Sequence, residues 1–514
     1  MSSSAAGSRR SPLLDMPTEL FYIICRDVRA DKEGLKALAS LAQTCHKLSS
    51  PALDTLWEYM DRLEPLSRVA PKAGDNVTTW VEQVSPGQEA QLARFTEYAS
   101  RIRVLTWDTL DGSLELVTRV PKRSLRPLLP GLQEVILDVP WTSQSTEDSS
   151  GERLHIILTF IVNPSLRVFR IGTIDLSEHV RETATAEGQQ PPQGINIAGF
   201  MRFLHLEAPF LEVLHFTERI VCGPMHFISN FPRLRDLDVV DQDPSHLDGA
   251  VFRMLSENDR LRHAVLPLDN LKLRDVGADW RGFAGLKTLH FRCDDRLLLF
   301  QILAGLMSPH LAEISVDMGA TTTFHDLHEI CAALVRHKST LRQLSLFYVT
   351  METDESLSAM EFMEPLLELR KLRSITLASH SRYAATLTDA DIEKLAAAWP
   401  RACLIDIPVI GPTVNCFVSF ARHCPDLDSL GLVDITDEGF SELDIENIPS
   451  LGHPLRELGL ACADIEDLEK LARAIDRIFP YIEYGYDHLP EELLASLHAL
   501  QTSRESNADS SAML

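Results

Sequence analysis

Leu341-Arg342-Gln343-Leu344-Ser345-Leu346 follows the order apolar, two others, apolar, one other, apolar, and the same order returns along most of the chain. Ahead of it stand Ile102-Leu105-Trp107, Leu132-Val135-Leu137, Leu166-Phe169-Ile171, Leu211-Leu214-Phe216, Leu234-Leu237-Val239, Leu261-Ala264-Leu266, Leu286-Leu289-Phe291 and Leu311-Ile314-Val316. Behind it stand Leu372-Ile375-Leu377, Ala402-Ile405-Ile407, Leu427-Leu430-Leu432 and Leu455-Leu458-Leu460. One copy means little in a leucine-rich chain. Thirteen copies whose starts lie 23 to 45 residues apart are the mark of a stacked repeat. The longest interval, Leu166 to Leu211, holds a polar insertion at 184–194, and 141–151 reads as a second polar loop.

Between motifs the apolar period changes from 2 to 3.6, as a strand followed by a return helix requires. Phe324, Leu327, Cys331, Leu334 and Val335 share one helical face, as do Ile465, Leu468, Leu471, Ala472, Ile475, Ile478 and Phe479. Thr388-Asp389-Ala390-Asp391 reads as a helix start, and Pro400, Pro425 and Pro480 mark helix ends. The expected fold is α/β, with parallel strands on a concave face and helices on a convex one.

Side chains alternate along a strand, so residues between the buried apolar positions must face away from the core. This places His215, Asp236, Asp238, His263, His290, Arg292, Glu313, Asp317, Gln343 and Phe347 on the concave face. Parallel spacing is expected to bring Asp236 opposite His263, and Arg292 opposite Asp317. Lateral pairing across the rungs is the plain reading of these charges. A broad mixed face of this kind suits a protein target better than a small metabolite, with Phe347 as an apolar anchor.

The N-terminal stretch 13–60 is different. Pro17 opens a helical pattern in its first turn, with Asp15 or Met16 as the cap. Leu20, Ile23, Ile24 and Val28 form its stripe. A second stripe is Leu35, Leu38, Leu41, Ala42 and Cys45, and a third begins at Pro51 and runs through Leu53, Leu56 and Trp57. So short a helical segment buries too little to stand without a neighbour or partner. Leu14, the Pro17-Thr18-Glu19-Leu20 opening, Leu41 to Leu48 and Leu53-Asp54-Thr55-Leu56-Trp57 resemble the F-box, the last element being like the ending common in fungal members. The repeats behind it resemble the irregular leucine-rich repeats of F-box substrate adaptors. The resemblance implies that Leu14, Pro17, Leu20, Ile23, Ile24, Val28, Leu38, Leu41, Cys45, Leu48, Leu53, Leu56 and Trp57 face the Skp-type subunit of a cullin-RING ubiquitin ligase. The repeats would then carry an unknown protein substrate. A repeat scaffold or inhibitor, with the first helices as a cap, is the alternative.

The implied division is a disordered 1–12, an F-box-like module 13–60, a helical linker 61–100, repeats over 101–488, and a C-terminal helix with a disordered tail over 489–514. A formal net charge of -25 argues against nucleic acid and against anionic membrane surfaces. Nine scattered cysteines without a close pair suggest neither a disulfide framework nor a zinc cluster. No signal-length or membrane-length apolar run is present, so cytoplasm or nucleus is expected. The sequence contains no phosphate loop, no Gly-x-Ser-x-Gly elbow and no His-Glu-x-x-His helix, and His325-Asp326-Leu327-His328-Glu329 matches neither zincin order. The expectation is therefore a chain with no catalytic residues, no metal and no cofactor.

Overall fold

The computed structural model describes residues 16–70, 86–107, 127–141, 157–175, 195–216, 220–221, 225–239, 247–277, 279–349, 358–379, 385–407, 409–438, 440, 442, 444–460, 465, 467–485 and 489–512. It divides into two compact units, Met1–His246 and Leu247–Leu514. Both are α/β, with parallel strands and return helices.

The first unit opens with three helices, α1 (Thr18–Ala30), α2 (Gly34–Ala42) and α3 (His46–Glu58). The chain passes directly from α3 into β1 (Tyr59–Met60), which pairs in parallel with β2 (Val104–Trp107). The ladder continues through β3 (Glu134–Trp141), β4 (Val168–Asp175), β5 (Val213–Phe216) and β6 (Asp236–Val239), every pairing parallel. Between β1 and β2 lie the four-residue α4 (Glu64–Ser67) and the fourteen-residue α5 (Pro86–Ala99).

In the second unit the ladder runs β7 (His263–Pro267), β8 (Thr288–Arg292), β9 (Glu313–Thr321), β10 (Gln343–Val349), β11 (Ser374–Ser379), β12 (Leu404–Ile407), β13 (Ser429–Leu432), β14 (Glu457–Gly459) and β15 (Tyr484–Gly485), again all parallel. Return helices include α6 (Ala198–Glu207) in the first unit and α7 (Gly249–Glu257), α8 (Arg296–Gly305), α9 (Phe324–Leu334), α10 (Asp389–Ala398), α11 (Asn415–His423) and α12 (Leu468–Ile478) in the second.

The repeating motif maps onto this ladder rung by rung. The first apolar residue of each of the thirteen copies, from Ile102 to Leu455, is fully buried, and the two later ones point the same way. Most turns before a strand are held by one carbonyl accepting two backbone N–H groups. The Ala312 carbonyl takes Arg342 and Gln343 at 2.8 and 3.0 Å, and the Arg342 carbonyl takes Arg373 and Ser374 at 2.7 and 3.1 Å. Buried Asn163 adds a side-chain tie, donating to the carbonyls of Leu129 and Leu132 at 3.0 and 3.1 Å while accepting from Ser165 N–H. Leaving those carbonyls without partners would cost more than the bonds gain, so a polar side chain is tolerated in the core there.

Helix starts are capped as the residue types require. Asp248 and Asp295 accept from the second and third N–H groups of α7 and α8. Thr323 with Asp326, and Thr388 with Asp391, form reciprocal capping boxes. The expected apolar face of α9 is buried at Phe324, Leu327, Cys331 and Leu334, while Ile465 is buried ahead of α12 rather than within it.

Several expectations need correction. β1 and β15 are rungs without the repeat motif, and a second, short parallel ladder occurs in each unit, Ile195–Asn196 with Ile220–Val221 and Ala385–Thr386 with Val409–Ile410. The third N-terminal helix begins at His46, not Pro51. Pro51 lies inside it, and Cys45 is its cap residue rather than part of the second stripe. Pro17 is the residue before α1, where its fixed φ still suits a helix entry. Trp141 ends β3 instead of opening a loop. The last helix, α13 (Glu491–Ala512), extends through most of the stretch expected to be disordered. Leu14, Asp15, the stretch 1–12 and both polar loops beyond Trp141 lie outside the described residues.

Candidate protein-docking surfaces

Two surfaces follow from the sequence, the apolar N-terminal module and the strand face. In the module, Cys25, Leu38 and Ala52 form a small core, with Val28, Leu41, Ala42 and Leu56 packed against it. Leu38 and Leu48 are buried. Neither presents a surface, which departs from their expected role in docking, and Leu38 belongs to the core that holds the helices together. Val28, Leu41 and Leu56 are half-buried for the same reason, and Cys45 and Leu53 are also half-buried. What remains open is a stripe on α1 at i, i+3 and i+4, with Leu20 46%, Ile23 56% and Ile24 41% exposed, and Leu35 of α2 at 54%. Pro17 is exposed beside it. Phe21 and Cys25 on the opposite side of α1 are buried, so the helix is apolar on two sides while only one is covered.

Gly34 permits the α1–α2 contact. A Cβ there would lie 2.9 Å from Arg29 Cα and still closer to the Val28 carbonyl, both rigid backbone. Gly34→Ala is expected to destabilise the module by about 1–3 kcal/mol, because neither neighbour can move aside cheaply. Hydrogen exchange would read this as faster exchange of amides 18–58, with the repeat strands protected as in the wild type.

The module is tied to the first rungs through Asp54 of α3. Tyr22 Oη donates to Asp54 at 2.5 Å, and that bond, with burial, pushes the phenol up to about 12. Arg101, just before β2, pairs with the same carboxylate and with Glu97 at 3.0 Å. Trp57 stacks on Tyr98 of α5, ring centroids 4.7 Å apart. Trp57 is thus part of the joint between the module and the linker helix, not a free docking side chain.

On the strand face the alternation is as expected, but the charges are spent on one another. In the first unit Glu134, Arg170, His215 and Asp236 form a continuous chain across four strands. Arg170 donates to Glu134 Oε1 at 2.9 Å and through Nε to His215 Nδ1 at 3.3 Å, and His215 Nε2 lies 2.9 Å from Asp236 Oδ1. Arg170 has no acceptor to offer, so Nδ1 accepts and Nε2 carries the proton that Asp236 receives. Asp238 stands beside His215 in register.

In the second unit His290 Nε2 lies 3.0 Å from Glu313 Oε1. Arg292 is opposite Asp317 in register, yet its ion pair is with Asp269, at 2.8 Å, just beyond the end of β7. The expected Arg292 partner is corrected accordingly: the guanidinium reaches past its own rung to a carboxylate on the loop. His263 and Gln343 are exposed, and Asp317 and Phe347 are half-buried on the same face.

Asp406 of β12 was missed by the sequence reading. It faces away from the core opposite Gly431, where a Cβ would lie 2.5 Å from its carboxylate oxygen, and the next rung at that register is Gly459. Glycines on two successive rungs leave this carboxylate in a shallow notch. Burial raises its pKa above the ordinary 3.8. A carboxyl whose folded pKa is raised contributes stability that is fully present below the unfolded pKa and lost as pH rises through the folded value. Asp406→Asn is therefore expected to raise the melting temperature at pH 7 and to leave it unchanged near pH 3. Equal melting temperatures at both values of pH would contradict this placement.

Among the described residues, no helix is long and apolar enough to cross a membrane. No protein-family model and no curated protein matches the chain.

Proposed function

We propose that this chain is a substrate adaptor of a cullin-RING ubiquitin ligase, an F-box protein with leucine-rich repeats. The observation that supports the reading best is the open stripe of Leu20, Ile23, Ile24 and Leu35. Four large apolar side chains exposed in so small a module cost free energy unless a partner covers them. The resemblance of residues 13–60 to the F-box supplies that partner, the Skp-type subunit. The docking set then narrows to the exposed members and Pro17, while Leu38 and Leu48 shape the module from within.

The parallel strand face takes a protein target in the cytoplasm or nucleus. Its charged ladder is already paired, so specificity comes from the exposed or half-buried residues between the pairs, among them His263, Gln343 and Phe347. The chain performs no bond chemistry in this reading. It raises the local concentration of target lysines near the conjugating enzyme. The test is a titration of purified Skp-type subunit against the full chain and against Leu20→Asp. Saturable binding by the wild type that is lost in the variant supports the adaptor reading, whereas equal binding by both removes the stripe from it.

A further inference from the structure

On the helix side of the second unit, a cavity of about 280 Å³ is lined by Arg281, Arg336 and His337 together with Ala304 and Ser308. We propose that this cavity binds a small phosphate-bearing molecule, with the two guanidiniums and the imidazole as its donors.

Three independent features carry the inference. Arg281 is exposed, and its guanidinium has no hydrogen-bond or ion-pair partner among the described residues. Arg336, in the 3-10 turn Val335–His337 that follows α9, donates one N–H to the carbonyl of Ala304, which fixes the head at the cavity and leaves its other donors available. His337 is only 5% exposed, and its Nε2 is buried with no partner among the described residues. A buried ring nitrogen left unsatisfied is costly, and a native interior rarely tolerates one without a use.

The charge is equally out of keeping with its surroundings. In a chain of net charge -25, two arginines and a histidine meet here, while nearby cations such as Arg296 and Lys338 are paired with Asp326 and Glu368. Guanidinium forks match phosphate oxygens, and a tetrahedral anion accepts from donors arriving from several directions where a planar carboxylate cannot use them all. The volume falls just short of the roughly 300 Å³ at which small-molecule pockets begin, so it suits a phosphate group with little attached to it. Burial, with the Arg336 charge beside the ring, holds His337 down at about 4, so the imidazole is neutral at pH 7. The ring already donates to the Ser308 backbone carbonyl, so it gives a second N–H to the ligand only when protonated, the form that an anion in the cavity favours.

This site is independent of the adaptor reading, and either can fail alone. The probe is inorganic phosphate, titrated by calorimetry into the full chain at constant ionic strength, with acetate in a parallel series. Saturable phosphate binding is expected, at least about tenfold weaker in Arg281→Gln and in His337→Gln. Arg281 is exposed and unpartnered, so its variant should keep the wild-type melting temperature and serves if the histidine variant folds poorly. Absence of saturable phosphate binding, or wild-type affinity in Arg281→Gln, would overturn the site. Acetate binding as tight as phosphate would overturn the phosphate assignment.

Discussion

Trp399→Ala is expected to lower the stability of the second unit by about 3–5 kcal/mol. Trp399 follows α10 and is completely buried, and its indole Nε1 donates to the Leu366 carbonyl at 3.1 Å. Alanine would leave a cavity between successive return segments and strip that buried carbonyl of its partner. Because each repeat is stable only against its neighbours, the damage should spread to β11 and β12 on either side. Trp399→Phe separates the two causes, since it refills most of the volume but cannot donate. Urea unfolding should place it between the wild type and alanine, and a loss under about 1 kcal/mol for the alanine variant would contradict the packing described.

The second large effect concerns binding. Ile23→Asp should weaken capture of the Skp-type subunit by more than about 30-fold, the scale of a buried hot-spot residue replaced by a charge. Ile23 is the most exposed member of the α1 stripe and is not one of the residues that build the module's core cluster. The substitution should therefore leave folding nearly unchanged. Leu38→Asp would abolish capture too, but by collapsing the module, and the two are distinguished by the exchange of amides 18–58.

Much of the fold was legible because a leucine at a fixed register can be buried in only one way. Thirteen strands, the caps at Thr388 and the face of α9 followed from that periodicity. The end rungs were not legible. Tyr59–Met60 and Tyr484–Gly485 each have one neighbour, need little apolar side chain, and carry no motif. The third apolar stripe begins only at Pro51, yet packing of α3 on α1 and α2 extends the helix back to His46 and through the proline.

The candidate surfaces were legible in part. Alternation placed the strand-face residues correctly, but it could not tell which charges neutralise each other. That depends on side-chain reach, as when Arg292 turns to Asp269 and His215 bridges Arg170 and Asp236. In the module, helical spacing could not separate an inward stripe from an outward one, since both sides of α1 are apolar. Only the packing assigns Phe21 and Cys25 to the interior and Leu20, Ile23 and Ile24 to the surface. The phosphate cavity left no local signal at all, its three donors being drawn from positions 281, 336 and 337.

In the proposed adaptor, the uncovered apolar stripe on α1 holds one fixed partner while the strand ladder folds regardless. The most direct measurement is the dissociation constant of purified Skp-type subunit for the full chain and for Ile23→Asp, with the melting temperature of each recorded alongside. Tight binding by the wild type is expected, with more than about 30-fold loss in the variant and one shared melting temperature. Undiminished binding by Ile23→Asp, or no binding by the folded wild-type chain, would contradict it.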